Sequence, residues 1–204
     1  MIVIVDYGVG NLGALVNMFE YLGFDCETSR DPKTIAAAGK LVLPGVGAFD
    51  KAMRNLHDYG LVQPLSDAVL GRGTPVLGVC LGMQLLGEAS EEGSQPGLGW
   101  IAAQSLRIRP PIDMDLKVPH IGWSDVTPRC GSPLFEGDST NPRFYFSHSY
   151  HMQCRRDEHI AAMVEYGGEL CCAVAAGNIH GVQFHPEKSH RHGMAILKAF
   201  AAKT

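Results

Sequence analysis

Cys80 lies in the stretch TPVLGVCLGMQLLG, residues 74–87, with Gly78 two positions before it and Gly82 two positions after. An apolar run leads up to the cysteine, and a helical pattern of Leu81, Met83, Gln84, Leu85 and Leu86 follows it. This spacing predicts a thiol on a sharp strand-to-helix turn, where glycines on either side let neighbouring segments approach without clashes. The amino end of the following helix favours negative charge, which is expected to depress the thiol pKa and raise the thiolate fraction. It also presents the backbone N–H of Leu81 to a developing oxyanion. A glycine-flanked structural cysteine fits the same pattern.

A nucleophile needs a base, and GVQFHPEKS, residues 181–189, offers His185 at the end of an apolar strand. Pro186 biases His185 toward extended backbone. Alternation with period two then puts Glu187 on the same side as His185, where a carboxylate fixes the imidazole tautomer and stabilises the imidazolium as the third member of a triad. Taken alone, the pair also reads as a hydrogen-bonded strand-end histidine beside a solvated charge. A metal site of His185, His190 and His192 is the weaker alternative, since no partner ligands are evident. In LPGVGAFD, residues 43–50, two glycines around Val46 follow another strand. They permit close approach and a reorientable peptide at Val46–Gly47, suited to an oxyanion donor or to any tight turn between strand and helix.

These three stretches need a scaffold that brings strand ends together. IVIV (2–5) suits a strand buried on both faces. Residues 11–22 carry Leu12, Leu15, Phe19 and Leu22 on one helical stripe. Further strands are expected at 24–29, 40–45 and 74–80, with helices at 31–38, opened by Asp31 and Pro32, and 48–71, broken at Gly60. Such alternation implies a mostly parallel sheet covered on both sides, with ligands at the carboxyl ends of its strands. From 98 to 184 strand-like stretches dominate: LGWIAAQSLRI, HIGWSDV, FYFSHSYHM, AAMVEYG, LCCAVAA and IHGVQF, some parted by turn signals at Tyr166-Gly167-Gly168 and Gly177-Asn178. A final amphipathic helix turns Met194, Leu197, Phe200 and Ala201 inward. The expectation is one α/β domain over 1–204, its mostly parallel central sheet flanked by helices and extended by antiparallel strands in the second half.

Hydrophobic residues make up 46% of the 204-residue chain and charged ones 19%, with a net charge of −4. Nothing basic is in excess to attract nucleic acid or an anionic membrane. The start, MIVIVDYGVGNLG, has no basic region and its apolar run stops at Asp6, unlike a signal peptide. No apolar run approaches a bilayer span of roughly 18 residues, and a cytoplasmic location is expected. Six cysteines (Cys26, Cys80, Cys130, Cys154, Cys171, Cys172) are too sparse for a disulfide scaffold, and none forms a CxxC pair. Cys171 and Cys172 are expected on one strand, facing opposite ways.

GVCLGMQLL, GVQFHPEKS and LPGVG resemble the class I (triad) glutamine amidotransferases. DYGVGNLG (6–13), SEEG (90–93), KVPHIGW (117–123) and FYFSHSY (144–150) extend the likeness to the glutaminase subunits of imidazole glycerol phosphate synthases, in order along nearly the whole chain. The resemblance implies that Cys80 attacks the side-chain amide of glutamine, with His185 and Glu187 as its partners. Leu81, Val46 and Gly47 would hold the oxyanion. Gln84, Glu92 and the backbone of His148, Ser149 and Tyr150 would hold the α-amino and α-carboxylate groups. It implies no cofactor, and a (βα)8-barrel cyclase partner in a heterodimer that receives the ammonia. Asn11, Pro119, Trp123 and Lys188 match family interface positions, although Lys188 also suits an ordinary surface and Trp123 a core.

Two positions depart from the family: Ser124 stands where Asn usually follows the Gly-Trp pair, and Ser147 where Val is usual. HPEKSHRHGM and FDKAMRNLHDYGL also resemble a sister group that feeds ammonia to amidotransferases acting on surface-polysaccharide sugars. Other classes remain as alternatives. A cysteine hydrolase or chaperone of the related fold often has His directly after the elbow cysteine, where this chain has Leu81. A non-catalytic scaffold subunit is at odds with a complete triad.

Overall fold

Strand and helix alternate up to residue 85 in the computed structural model, which describes residues 1–129, 131–135 and 142–204. Strand β1 (Ile2–Val5) leads to helix α1 (Leu12–Tyr21), and β2 (Cys26–Ser29) to α2 (Pro32–Ala37). Strand β3 (Lys40–Gly45) leads to α3 (Phe49–Asp58) and α4 (Val62–Ser66), which runs on as a π turn over Asp67–Gly71. Gly60, at φ 65°, parts α3 from α4. Strand β4 (Val76–Cys80) passes directly into α5 (Leu81–Leu85). The Asp-Pro signal works as expected: the Asp31 carboxylate accepts from the N–H groups of Lys33 and Thr34, with Pro32 as the first helical residue.

Strands follow: β5 (Ala89–Ser90), β6 (Ala103–Arg107), β7 (His120–Pro128), β8 (Arg143–His148), β9 (Tyr150–Cys154), β10 (Ile160–Glu165), β11 (Glu169–Ala176) and β12 (Ile179–Val182). Helix α6 (His190–Lys203) closes the chain. The main sheet runs β2-β1-β3-β4-β12-β11-β10-β7-β8. Its first five strands are parallel and the rest antiparallel. Strands β5, β6 and β9 form an arm that joins through β9 to β11. The mixed α/β sheet is the expected one.

Neighbouring residues of each central strand feed opposite cores. Val3, Val5, Leu41, Leu43 and Val76 pack with Phe49, Met53 and Leu56 of α3. Ile4, Val42, Leu77 and Val79 pack with Leu15 and Phe19 of α1 and with Ile196, Leu197 and Phe200 of α6. That two-sided burial explains why IVIV and KLVL are continuously apolar rather than alternating. Cys171 and Cys172 divide between the same two cores, on opposite faces as expected. Cys130 lies outside the described residues.

One local expectation needs correction. FYFSHSYHM is not one strand: it breaks at Ser149 into β8 and β9, because the His148 ring bonds the Tyr150 carbonyl at 2.7 Å and so stabilises the bend. The two-residue β5 had no periodic signal. For the site, the decisive feature is register: Gly45 at the end of β3 is paired with Cys80, and Val182 at the end of β12 with Val79. Three strand ends thus open on one place. No helix among the described residues is long and apolar enough to cross a membrane.

Candidate active site

Cys80 has φ 54° and ψ −111°, a backbone conformation that a residue with a side chain adopts at a cost of order 1–3 kcal/mol. The flanking glycines show what enforces it. A Cβ on Gly78 would come within 2.7 Å of the Gly82 carbonyl oxygen, and one on Gly82 within 1.7 Å of the Leu43 carbonyl oxygen. The first turn of α5 is therefore pressed onto both β4 and β3. Gly45 is needed too, since a Cβ there would lie 2.8 Å from the Gly82 nitrogen. The expected elbow is present.

His185 follows β12 and is fixed through its backbone. Its N–H donates to the Tyr145 carbonyl at 2.9 Å, and its carbonyl accepts from the Ser189 hydroxyl at 2.6 Å. Ser189 accepts in turn from the Tyr145 N–H at 3.0 Å. Nδ1 lies 2.8 Å from Glu187 Oε1, both side chains being at most 5% exposed. The geometry differs from strand alternation: Pro186–Lys188 form a 3₁₀ turn that folds Glu187 back onto the ring. Burial by itself would push the His185 pKa down. Hydrogen bonding and charge at Cys80 and Glu187 outweigh it and raise the value to about 9. With Nδ1 committed to Glu187, Nε2 is the nitrogen left for the thiol.

Gln183 completes the surroundings of the sulfur, and sequence reasoning missed it. Fully buried, it donates through Nε2 toward Cys80 Sγ at 3.7 Å, and its Oε1 accepts from Gln84 Nε2 at 3.0 Å. Gln84 Nε2 also lies 3.4 Å from the Tyr150 carbonyl. The one available signal was a lone amide inside the apolar GVQF run.

A cavity of about 350 Å3 opens over the thiol. Val46, Gly47 and Leu81 line it, together with Gln84, Glu92, His148, Ser149 and Tyr150. Pro119, Ser147, His185 and Lys188 also line it. Glu92 is held by a reciprocal clasp. Its Oε2 accepts from the N–H of Phe49, the first residue of α3, at 2.9 Å. The Asp50 carboxylate accepts from the Ser94 and Gln95 N–H groups, each at 3.0 Å. A Cβ on Gly93 would fall 1.8 Å from Asp50 Oδ1, which accounts for the glycine in SEEG.

Of the four positions matched to the family interface, two line the cavity. Pro119 and Lys188 border the cavity, with the Lys188 ammonium 5.5 Å from the centre of the Tyr145 ring. Trp123 and Asn11 lie outside it. Trp123 is 38% exposed and stacks on His190 at 5.4 Å; Asn11 is exposed just before α1. Trp123 is therefore not a core residue. No group of three metal-ligating side chains occurs among the described residues. His185, His190 and His192 form no such group, and His185 is engaged by Glu187.

The family model for glutamine amidotransferase class-I matches residues 3–204. The chain is 46% identical over 200 residues to the imidazole glycerol phosphate synthase subunit HisH 2 of Pseudomonas aeruginosa, covering 98% of each. It is 45% identical over 205 residues to the subunit HisH of Leptospira interrogans, covering 99% of this chain and 100% of that one. Among solved structures, PurLQS from Thermotoga maritima aligns with a TM-score of 0.73 at 17% identity, over 98% of this chain and 96% of that one. A glutamine amidotransferase from the same organism aligns with a TM-score of 0.63 at 19% identity, over 98% and 81%. The two structures carry the fold only.

Proposed function

The chain belongs to the class-I glutamine amidotransferase family, and we propose that it is the glutaminase subunit of an imidazole glycerol phosphate synthase, acting in histidine biosynthesis. The observation that carries the reading is one cavity lined by an elbow cysteine and by a histidine whose ring is held from behind by a buried carboxylate. The relatives at about 45% identity, whose names are those of this subunit, support the acceptor chemistry.

The Cys80 thiolate attacks the side-chain amide carbon of glutamine, and the N–H groups of Leu81 and the Val46–Gly47 stretch receive the oxyanion. His185, an imidazolium below pH about 9, gives its Nε2 proton to the departing nitrogen. The C–N bond breaks and ammonia leaves a γ-glutamyl thioester. His185, now neutral, takes a proton from water, which attacks the thioester carbonyl and expels the thiolate with glutamate. Glu187 holds the imidazole with Nδ1–H inward through both halves. Gln84, Glu92 and the backbone of His148, Ser149 and Tyr150 are the proposed contacts to the α-amino and α-carboxylate groups.

Ammonia released into water becomes ammonium and ceases to be a nucleophile, so a synthase has to receive it directly. The proposed receiver is a (βα)8-barrel cyclase that docks as a heterodimer over the mouth marked by Asn11, Pro119, Trp123 and Lys188, in the cytoplasm. The test is to assemble the complex with Cys80→Ala. Glutamine-dependent formation of imidazole glycerol phosphate and aminoimidazole carboxamide ribotide should vanish while ammonia-dependent formation persists. Loss of both in an assembled complex contradicts the role of Cys80. Glutamine hydrolysis by the wild type without any cyclisation would move the chain to a sugar amidotransferase.

A further inference from the structure

The Tyr150 carbonyl, in the wall of the cavity, can only accept hydrogen bonds. His148 Nδ1 lies 2.7 Å from it and must therefore carry a hydrogen. Burial drives the His148 pKa down to about 3, so the ring is neutral at physiological pH and its Nε2 is a bare lone pair. His120 Nδ1 is 3.0 Å from that lone pair and must donate to it. Burial likewise holds His120 neutral, with a pKa of about 4, so its own Nε2 is bare. The Ser124 hydroxyl, 2.9 Å away, is left to donate. One acceptor thus dictates the direction of every bond from Ser124 through His120 and His148 to Tyr150.

Neither His120 nor Ser124 lines the cavity. Strand β7 carries both on its inward face, with Gly122 at φ 134° between them. The far end of the relay meets the catalytic side at the same carbonyl, where Gln84 Nε2 also arrives and continues through Gln183 to the Cys80 sulfur. We propose that Ser124 and His120 are positioning residues for glutamine. Their one-way hydrogen-bond chain fixes the His148 tautomer, and with it the Ser149–Tyr150 backbone against which the substrate's α-carboxylate rests. This rests on the glutaminase reading and adds two residues to it.

Packing alone is the competing explanation, because His120 is stacked between Tyr166 (centroids 3.9 Å apart) and Phe146 (4.8 Å). Stacking does not depend on which nitrogen bears the hydrogen. The relay does. Without the Ser124 donor, His120 is free to carry its hydrogen on Nε2. That sets its bare Nδ1 against the bare His148 Nε2, and the wall loses its definition.

Two measurements decide the matter. Long-range nitrogen NMR of the wild-type chain at neutral pH should find both rings as Nδ1–H tautomers, the minor form of free histidine. Either ring as Nε2–H or as imidazolium overturns the proposal, and this readout needs no activity at all. In the assembled complex, Ser124→Ala should raise KM for glutamine about three- to tenfold, the size of one lost buried hydrogen bond. The kcat should change less, with ammonia-dependent synthesis unaffected and Ser124→Thr restoring KM. An unchanged KM in S124A, or a threonine variant no better than alanine, also overturns it. In either case glutamine turnover that depends on Cys80 shows the glutaminase reading still standing.

Discussion

Gly82 faces the carbonyl of Leu43 so closely that a Cβ would lie 1.7 Å from the oxygen, less than any van der Waals contact allows. The elbow is built on this contact, since it seats the first turn of α5 on β3, with Cys80 in the wall of the cavity. Gly82→Ala should therefore cost about 3 kcal/mol or more and abolish glutamine hydrolysis in whatever folds. Gly13, inside α1, has nothing within 4 Å of where a Cβ would go. Gly13→Ala should stabilise by about 0.5–1 kcal/mol. Denaturant melts of both variants check the contrast; equal effects would mean that the elbow tolerates a side chain.

The His185–Glu187 pair makes a prediction about pH. The His185 pKa is raised to about 9 from 6.5, against burial, by Cys80 and Glu187. A raised histidine stabilises the fold fully below pH about 6.5 and loses that contribution as pH rises through 9. Activity should follow the imidazolium that protonates the leaving ammonia, so kcat/KM for glutamine should fall on a basic limb near pH 9 as His185 loses its proton. Glu187→Gln removes a charge and should move that limb to lower pH while reducing kcat by up to about 10⁴. A limb unmoved in E187Q would separate Glu187 from the titration.

The strands were legible from residue pattern, and the reasons are local. IVIV, KLVLPG and VLGVC are buried on both faces, so their apolar runs carry no competing signal. The elbow was legible because glycine at −2 and +2 has a steric cause that no other residue type can satisfy. Ser149 was not legible as a break, because the bend depends on a side-chain bond from His148 to a carbonyl two residues on, which hydropathy does not register. Gln183 was missed for a related reason. A polar residue in a strand reads as outward-facing, and only the fold shows that its inward face meets the Cys80 sulfur. His185 and Glu187 were paired correctly for an incorrect reason, a 3₁₀ turn standing in place of strand alternation.

Thiol chemistry offers a third test. Burial pushes the Cys172 pKa up; the neighbouring Cys154 and burial do the same for Cys171, and burial with nearby acids for Cys26. Cys154 is held below the usual thiol range by its hydrogen bond with Cys171 and is half-buried, which makes it the strongest competitor of Cys80 among the described residues. A glutamine analogue bearing an electrophile should nevertheless label Cys80 at near-stoichiometric level, because that thiol alone of the five lines the substrate cavity. Peptide mapping that places the adduct mainly on Cys154 would mean that thiolate fraction, not the cavity, selects the site.

A subunit that hydrolyses glutamine with no acceptor waiting wastes it, so the chain alone should be nearly silent. The oxyanion side offers the place for a check. Pro44 is held from below, where its carbonyl accepts from the buried Tyr7 hydroxyl. Beyond it, Val46 is 44% exposed and Gly47 sits at φ 101° with nothing within 4 Å of where a Cβ would go. A peptide free on one side and flanked by glycine can rotate, exchanging a carbonyl for an N–H at the oxyanion position. One missing donor there costs on the order of 10²–10³ in rate. A partner seated on Trp123, Asn11 and Lys188 can bias that rotation only if its acceptor-bound form favours the N–H-inward state. Glutamine hydrolysis should therefore be measured for the chain alone, with the cyclase, and with the cyclase plus its acceptor substrate. Stimulation of about 10² or more confined to the loaded complex is the expected result. Full activity in the chain alone would place the oxyanion donors in position from the start and remove the need for any rotation.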